Sequence, residues 1–330
     1  MRAAIDEAAE RTGFTGVVSV HRGGRLELAQ AYGLADRGHG IANTVDTRFG
    51  LASGAKGLTA LTVMSLVESG ALSLATTARS VLGADLPLIA GDVNVEHLLA
   101  HRSGIGDYLD EEAHAVTDYV MPVPVHELAT TEQYLIVLDG HPTVFPAGER
   151  FTYCNGGYVV LALIAERASG VPFHDLVARC VCEPAGMAGA AYLRSDELPG
   201  DAALGYLSAD GPRTNVLHLP VRGSGDGGVY ATAADVRALW EAAFAGRLAP
   251  AGRFAEMLRA RSSVPDERMR YGLGFWLHES RDLVSLTGYD AGVSFRSVHD
   301  PASDTTQTVI SNWTDGAWPI TELLDEILGM

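Results

Sequence analysis

The sequence predicts a mixed α/β (α+β) protein, in which an antiparallel sheet is flanked by amino- and carboxy-terminal helices and a mostly helical lobe is inserted. Three observations support this. Strand patterns lie near both ends of the 330-residue chain, helical patterns dominate residues 57–220, and each terminus has a helical pattern. Each set of strands alone would leave open edges and an uncovered face, so we expect both sets to join one sheet.

The amino-terminal pattern begins with a helix over Arg2–Arg11. Two strands follow, over Gly16–His21 and Leu26–Tyr32, and a Gly-Gly turn at residues 23–24 separates them. Near the carboxyl end, short apolar runs alternate with turn residues. The elements predicted there are strands over Gly274–His278, Leu283–Leu286, Val293–His299 and Thr306–Asn312, a connection at Tyr289–Ala291, and a terminal helix over Pro319–Leu328.

We interpret residues 1–330 as one domain with two lobes. The α/β lobe comprises about residues 1–56 and 221–330, and the helical lobe comprises about residues 57–220. Ligand pockets favour borders of this kind, so we expect the active site in the cleft between the lobes.

The charge balance narrows the classes of partner. The chain has 24 basic and 41 acidic residues, a formal net charge of −17. Such an excess of acid disfavours binding to nucleic acid and electrostatic anchoring to a membrane. The sequence shows no secretory leader pattern and no apolar run of membrane length, so we expect a cytoplasmic protein with a small-molecule substrate. The oligomeric state is left open.

Three further features resemble cofactor or metal sites, but each is better explained otherwise. His97 and His101 are four apart on a probable helix without an H-E-x-x-H motif, which favours a structural role. Cys180 and Cys182 lie two residues apart on a predicted helix, so their side chains point apart. This favours buried small apolar residues over a metal or redox pair. The loop that starts Gly223-Ser-Gly-Asp-Gly-Gly lacks the lysine of a phosphate-binding loop. We therefore predict no cofactor and no metal.

Lys56 is the only lysine in the chain, beside 23 arginines. Arginine stays protonated in proteins, whereas a lysine amine can lose its proton when it is desolvated or lies beside another cation. A single lysine in an arginine-rich sequence is therefore a candidate for a role that needs a neutral amine.

Ser53 lies three residues before Lys56, at the start of a predicted helix that ends at Gly70. Residues i and i+3 share a helix face, so the amine can reach the Ser53 hydroxyl and act as its base. The Ser53 N–H belongs to the unpaired groups at a helix start, which makes it one candidate oxyanion donor. No G-x-S-x-G motif offers a competing nucleophile.

Two further segments supply complementary groups. Tyr153 and Asn155 lie in a loop before an apolar helix, and they offer a phenol that can relay a proton and an amide that can bind a carbonyl. Thr287-Gly288 follows an apolar strand, where a glycine allows substrate backbone to come close. The N–H of Tyr289 is then a candidate for the second oxyanion donor.

Ser53-Gly-Ala-Lys56, Tyr153-Cys-Asn155 and Leu286-Thr287-Gly288, in this order and spacing, resemble the motifs of the penicillin-recognising serine hydrolases. The branch of class C β-lactamases, D-Ala-D-Ala carboxypeptidases and related esterases is the most similar, over about residues 12–320. The resemblance implies an acyl-enzyme on Ser53, a base at Lys56 and a proton relay at Tyr153. It also implies substrate binding by Asn155, Thr287, Gly288 and Tyr289.

Leu286 departs from the family pattern, which has lysine or histidine before the T-G pair. The family's cation lies near a substrate carboxylate, so its replacement favours an ester or an uncharged amide over a β-lactam. Arg281, Arg296 and His299 are alternative sources of a cation. β-Lactamase, D-amino peptidase or carboxypeptidase, and acyltransferase activities stay open, as does a binding module with weak turnover.

Overall fold

An antiparallel sheet of eight strands runs through the part of the chain that the computed structural model describes, residues 1–109 and 115–330. The strands in chain order are β1 (Gly16–Arg22), β2 (Arg25–Tyr32), β3 (Leu34–Asp36), β4 (Ile41–Ala42), β5 (Phe49–Gly50), β6 (Tyr230–Ala231), β7 (Ser262–Val264), β8 (Met269–Tyr271), β9 (Trp276–His278), β10 (Val284–Asp290), β11 (Val293–Asp300) and β12 (Thr305–Ser311). The large sheet has the order β2-β1-β12-β11-β10-β9-β8-β7, and β3-β4 and β5-β6 form separate pairs.

Helices cover both faces of the large sheet. They are α1 (Arg2–Thr12), α2 (Ala55–Glu68), α3 (Ala78–Leu82), α4 (Val95–Leu99), α5 (Leu135–Leu138), α6 (Asn155–Ser169), α7 (Phe173–Val177), α8 (Glu183–Ala185), α9 (Ala233–Phe244), α10 (Ala251–Met257) and α11 (Trp318–Leu328). No helix among the described residues is both long enough and apolar enough to cross a bilayer.

The strands from the two ends of the chain are neighbours, second and third from one edge of the sheet. Strand β1 pairs with β12 in antiparallel register, with Gly16 opposite Ser311 and His21 opposite Thr306. The prediction that both strand sets join one sheet is therefore confirmed, and so is the predicted fold class. Each of β1 and β12 therefore has a neighbouring strand along both of its edges. This agrees with the burial of every residue in β12.

Two apolar cores lie on opposite faces of the sheet. On one face α1 and α11 pack against β1, through a cluster that contains Ile5, Val18 and Leu324. On the other face, a larger cluster joins the sheet to α2, α6 and α9 and contains Leu58 and Trp240. The second core lies directly under the segment that carries Ser53.

Several element boundaries differ from the predicted ones. The strand predicted from Gly274 begins at Trp276, because Gly274 takes a positive φ of 87° where the chain passes close to Ala60. The strand predicted to end at Leu286 continues to Asp290, so that the turn lies at residues 291–292. Strands β7 and β8 were not predicted, because three residues are too few for a periodic pattern to show.

The region between α2 and β6 contains several short helices rather than a few long ones. Residues 186–229 consist of turns and isolated bridges, so this part of the inserted lobe is less helical than predicted. The lobe boundaries near residues 57 and 220 stay a prediction.

Candidate active site

Ser53 lies in a 3-10 turn, Ala52–Gly54, that leads into α2. The prediction that Ser53 opens the α-helix itself is wrong, because α2 begins two residues later, at Ala55. Ala52 has a positive φ of 44°, a strained conformation for a residue with a side chain, of the kind that clusters at functional sites. The turn leaves Ser53 half-buried at the mouth of a pocket.

Lys56 lies on the first turn of α2 and is only 2% exposed. Its Nζ makes three hydrogen bonds of 2.8 Å, to Ser53 Oγ, Asn155 Oδ1 and the main-chain oxygen of Asp226. The amide oxygen and the carbonyl oxygen can only accept hydrogen bonds, whereas the serine hydroxyl can also donate one. An ammonium can donate to all three partners, and a neutral amine can donate to two of them and accept from Ser53, so the partners fit both forms.

Tyr153 lies beside this amine. Lys56 Nζ is 4.8 Å from the centroid of the Tyr153 ring. The same ring lies 4.4 Å from the ring of His101, and it stacks at 6.2 Å on Trp276 of β9. The structure thus brings the predicted proton relay next to the predicted base.

Asn155 is the first residue of α6, and a half-buried carboxylate holds it there. Asp107 accepts hydrogen bonds from the N–H groups of Asn155 (2.5 Å) and Gly156 (2.8 Å), two of the donors that a helix start leaves unpaired. Burial raises the pKa of Asp107, and these two N–H donors oppose the increase. The arrangement fixes the amide oxygen of Asn155 against Lys56.

Gly288 lies where β10 passes the turn that carries Ser53. A methyl group on Gly288 would overlap the carbonyl oxygen of Leu51 and would lie 3.1 Å from the Ala52 side chain. The glycine therefore makes room for the protein's own backbone, whereas we had predicted room for a substrate. This contact holds the end of β10, including Tyr289, beside Ser53.

Leu286 belongs to the core and is 3% exposed. Its side chain fills the space over Gly57 of α2, where an added methyl group would lie 2.6 Å from a Leu286 methyl. Because side chains alternate along a strand, Thr287 points to the opposite face of the sheet, which α11 covers. A contact between Thr287 and substrate stays a prediction, and neither Thr287 nor Gly288 is among the pocket-lining residues.

A pocket opens beside Ser53, and Asn155 and Tyr289 also line it. Its lining also includes Tyr108, Tyr119, Asp226, Tyr230 and Asp290. The described lining residues are mostly aliphatic side chains, tyrosines and glycines. They include His218 and two carboxylates but neither arginine nor lysine.

Asp226 is the site residue that the sequence interpretation missed. It is 8% exposed, its carbonyl oxygen accepts from Lys56, and its carboxylate accepts from Tyr108 Oη at 2.5 Å. Burial raises the pKa of Asp226, and the neighbouring Lys56 and Tyr108 oppose that increase. The available signal was an acidic residue between glycines in the 223–228 loop, which we considered as a phosphate-binding loop and rejected.

None of the alternative cations considered for this site lines the pocket. Arg296 pairs with Asp325 of α11, and Arg281 donates to the carbonyl oxygen of Gly329. His299 is buried against Trp240. These three residues therefore do not replace the cation that the family has at the position of Leu286.

A half-buried serine that is hydrogen-bonded to a buried lysine, at a pocket between a sheet and helices, is the arrangement of serine hydrolases that use lysine as base. The sequence model of the Beta-lactamase family matches residues 1–328, and the chain belongs to this family.

Three relatives illustrate the range of the family. The crystal structure of a penicillin-binding protein from Bacillus halodurans is 33% identical and superposes with a TM-score of 0.92, covering 98% of this chain and 99% of that one. Esterase EstB of Burkholderia gladioli is 32% identical over 59% of this chain and 51% of its own length. A D-aminopeptidase of Brucella anthropi is 28% identical over 83% of this chain and 51% of its own length. The chain spans 51–64% of the length of the first curated relatives it matches.

Proposed function

We propose that this protein is a serine hydrolase that cleaves small esters or amides through an acyl-enzyme on Ser53. The observation that carries the proposal is the set of partners around Lys56 Nζ. Asn155 Oδ1 and the Asp226 carbonyl occupy two N–H groups, which leaves the amine lone pair for the Ser53 hydroxyl. With its amine neutral, Lys56 is oriented to accept the serine proton.

In the proposed reaction, Ser53 Oγ bonds to the substrate carbonyl carbon while its proton passes to Lys56 Nζ. The oxygen that becomes negative faces the N–H groups of Ser53 and Tyr289. The bond to the leaving group then breaks, and Tyr153 supplies the proton that the leaving group needs. Water repeats the sequence in reverse: it loses a proton to the same groups, attacks the acyl carbon and releases Ser53.

The charges that line the pocket favour substrates that carry no carboxylate near Ser53. Its described lining residues contribute the carboxylates of Asp226 and Asp290 and no arginine or lysine, and the Leu286 position is filled by a core side chain. A neutral acyl group, or one that carries an amino group, fits this field better than the carboxylate of a β-lactam or a D-Ala-D-Ala peptide. The esterase and the D-aminopeptidase among the relatives agree with this substrate range.

Asn155 is proposed to contact the acyl side of the substrate, because it lines the pocket beside Ser53. β-Lactamase and carboxypeptidase activity are the second candidates, supported by the penicillin-binding relative. Acyl transfer to an acceptor other than water uses the same acyl-enzyme and stays open, and we rank a binding module with weak turnover below these.

Intact-mass analysis after incubation with a fluorophosphonate tests the proposal. We expect a single adduct on the wild-type protein, none on Ser53→Ala, and strongly slowed labelling of Lys56→Ala. Turnover of p-nitrophenyl butyrate, alanine p-nitroanilide and a chromogenic cephalosporin is measured in parallel. Labelling that persists in Ser53→Ala would exclude this nucleophile, and cephalosporin turnover near that of the ester would overturn the substrate assignment.

A further inference from the structure

His101 has an unusual backbone for a buried residue. It is 1% exposed, and it follows α4 with a positive φ of 53°. A residue with a side chain adopts this region rarely, and holding it there costs local strain energy. Such strain persists only where the surrounding contacts determine the conformation.

Those contacts lie on both sides of Tyr153. The carbonyl oxygen of His101 accepts a hydrogen bond from the N–H of Thr152 at 2.9 Å. Its ring Nδ1 accepts from the N–H of Cys154 at 3.1 Å. One residue therefore holds the chain immediately before and immediately after the proposed proton relay.

The His101 ring also supports the Tyr153 ring directly. The two centroids are 4.4 Å apart with planes inclined by 33°, and Lys56 Nζ lies 4.8 Å from the same Tyr153 ring. A shift of His101 would thus move the phenol relative to the amine. The tyrosines of α6 and β8, Tyr158 and Tyr271, enclose the rest of the imidazole at 4.8 and 4.9 Å.

The imidazole is held in one neutral form. Because Nδ1 accepts from Cys154, the ring proton lies on Nε2, which is buried without a hydrogen-bond partner within residues 1–109 and 115–330. Burial, and after it the charge of Lys56, hold the pKa of His101 well below its usual range. The ring is therefore not suited to carry the proton itself.

We propose that His101 is a positioning residue, which fixes the Tyr153 ring against Lys56 so that the phenol can protonate the leaving group. The proposal rests on the proposed function, because it assigns His101 a part in the same acyl transfer. It differs from the interpretation of His101 as a purely structural residue in one measurable respect. The loss on substitution should depend on how much the leaving group needs a proton.

Two substitutions separate the contribution of the His101 ring from that of its hydrogen-bond acceptor. His101→Asn keeps an acceptor near the position of Nδ1 and tolerates positive φ, but it removes the ring. His101→Phe keeps a ring and removes the acceptor. His97→Asn, the same change on the neighbouring helix, is the matched control. Tyr153→Phe and the double variant His101→Asn/Tyr153→Phe complete the set.

The measurement is kcat/KM, which reports the steps up to acylation, for p-nitrophenyl butyrate and ethyl butyrate. p-Nitrophenolate leaves without protonation, whereas ethoxide requires it. We expect both His101 variants and Tyr153→Phe to lose at least tenfold more on the ethyl ester than on the p-nitrophenyl ester. The double variant should show no further selective loss beyond that of Tyr153→Phe, since groups that act as a unit are not additive.

Equal losses on the two esters, no loss on either, or an additive double variant would overturn the positioning role. His97→Asn should leave the ratio of the two rates unchanged. Fluorophosphonate labelling of Ser53 in each variant shows that the site is folded, and His101→Phe serves if the asparagine variant does not fold. Ethyl butyrate hydrolysis that survives Ser53→Ala would instead refute the proposed function, so the two failures are distinguishable.

Discussion

Lys56 Nζ lies 2.8 Å from Ser53 Oγ, and the only other hydrogen-bond partners described for this amine are two groups that cannot donate. Of the three, only the serine hydroxyl can give a proton to the nitrogen. This geometry fits the role proposed for the single lysine in an arginine-rich chain, that of a base with a free electron pair, which a guanidinium does not offer.

Lys56→Arg should abolish most of the activity although it preserves the charge. We expect kcat/KM for p-nitrophenyl butyrate to fall by about 10²–10⁴, the usual contribution of a general base. Added methylamine should partly restore Lys56→Ala, and guanidinium should not. Activity of Lys56→Arg within a few-fold of wild type would refute the neutral-amine role.

Gly288→Ala should damage the site through the backbone. The added methyl group overlaps the Leu51 carbonyl, so either β10 or the turn that carries Ser53 has to move. A displacement of that size at a reacting group costs roughly hundredfold in kcat/KM. Gly91→Ala is the control, because among the described residues no atom lies within 4 Å of its added methyl. Similar rates for the two variants would contradict this explanation of the glycine.

Leu286→Ala tests whether the departure from the family motif is a matter of packing. We expect a loss of about 2–5 kcal/mol in the free energy of unfolding, as for other leucines truncated in a core. The rate on neutral esters, measured where the variant is folded, should change by less than threefold. Leu286→Met, which conserves volume, is the control and should be nearly as stable as wild type. A large rise in KM with unchanged stability would instead place Leu286 in the substrate site.

Asp226→Asn should weaken the preference for substrates with an amino group. The ratio of kcat/KM for alanine p-nitroanilide to that for N-acetylalanine p-nitroanilide should fall by roughly tenfold, the value of one charge-assisted hydrogen bond. Since burial raises the pKa of Asp226, the wild-type preference should increase as the pH rises and the carboxyl group ionises. A loss that is equal on both substrates would show that Asp226 acts only through Lys56.

Local geometry predicts only residues whose partners lie nearby in the chain, whereas Tyr153 and Asn155 were predicted from their residue types and from the resemblance of their motif. Ser53 and Lys56 are three residues apart, so helical geometry alone brings them together. The partners of Lys56 on the far side lie 99 and 170 residues away. Asp226 stands between glycines, which carry no periodic pattern, so its position next to Lys56 depends on the folded chain alone.

The distinction between local patterns and contacts of distant segments also applies to the fold. The prediction that both strand sets join one sheet followed from the open edges that each set alone would leave, and the pairing of β1 with β12 confirms it. Two boundaries, the start of β9 and the end of β10, were set by contacts with α2 and with the Leu51 segment. Close approaches of backbone to backbone leave no signal in the polarity of neighbouring residues, which explains why both predictions were wrong.

His299 should make the fold sensitive to acid. It is 4% exposed, its Nδ1 lies 2.8 Å from Thr306 Oγ1, and its ring stacks on Trp240. Burial, and after it Arg237, lower the pKa of His299 to about 4. The unfolded chain, with an ordinary pKa near 6.5, therefore binds more protons between these values, so stability is present above pH 6.5 and is lost as the pH falls toward 4.

Urea unfolding of wild type and His299→Phe at pH 7 and pH 5 measures this contribution. Between pH 7 and pH 5, the free energy of unfolding of the wild type should fall by about 2 kcal/mol more than that of the variant. Asp107 and Asp226 act in the opposite sense because their pKa values are raised, and they do so equally in both proteins. Phe254→Leu, a change in the same core without a titratable group and without a described ring contact to His299, should lower stability by the same amount at both pH values. If His299→Phe shows the wild-type pH dependence, another group is responsible for the acid sensitivity, and His174, whose pKa burial also lowers to about 4, is the next to substitute.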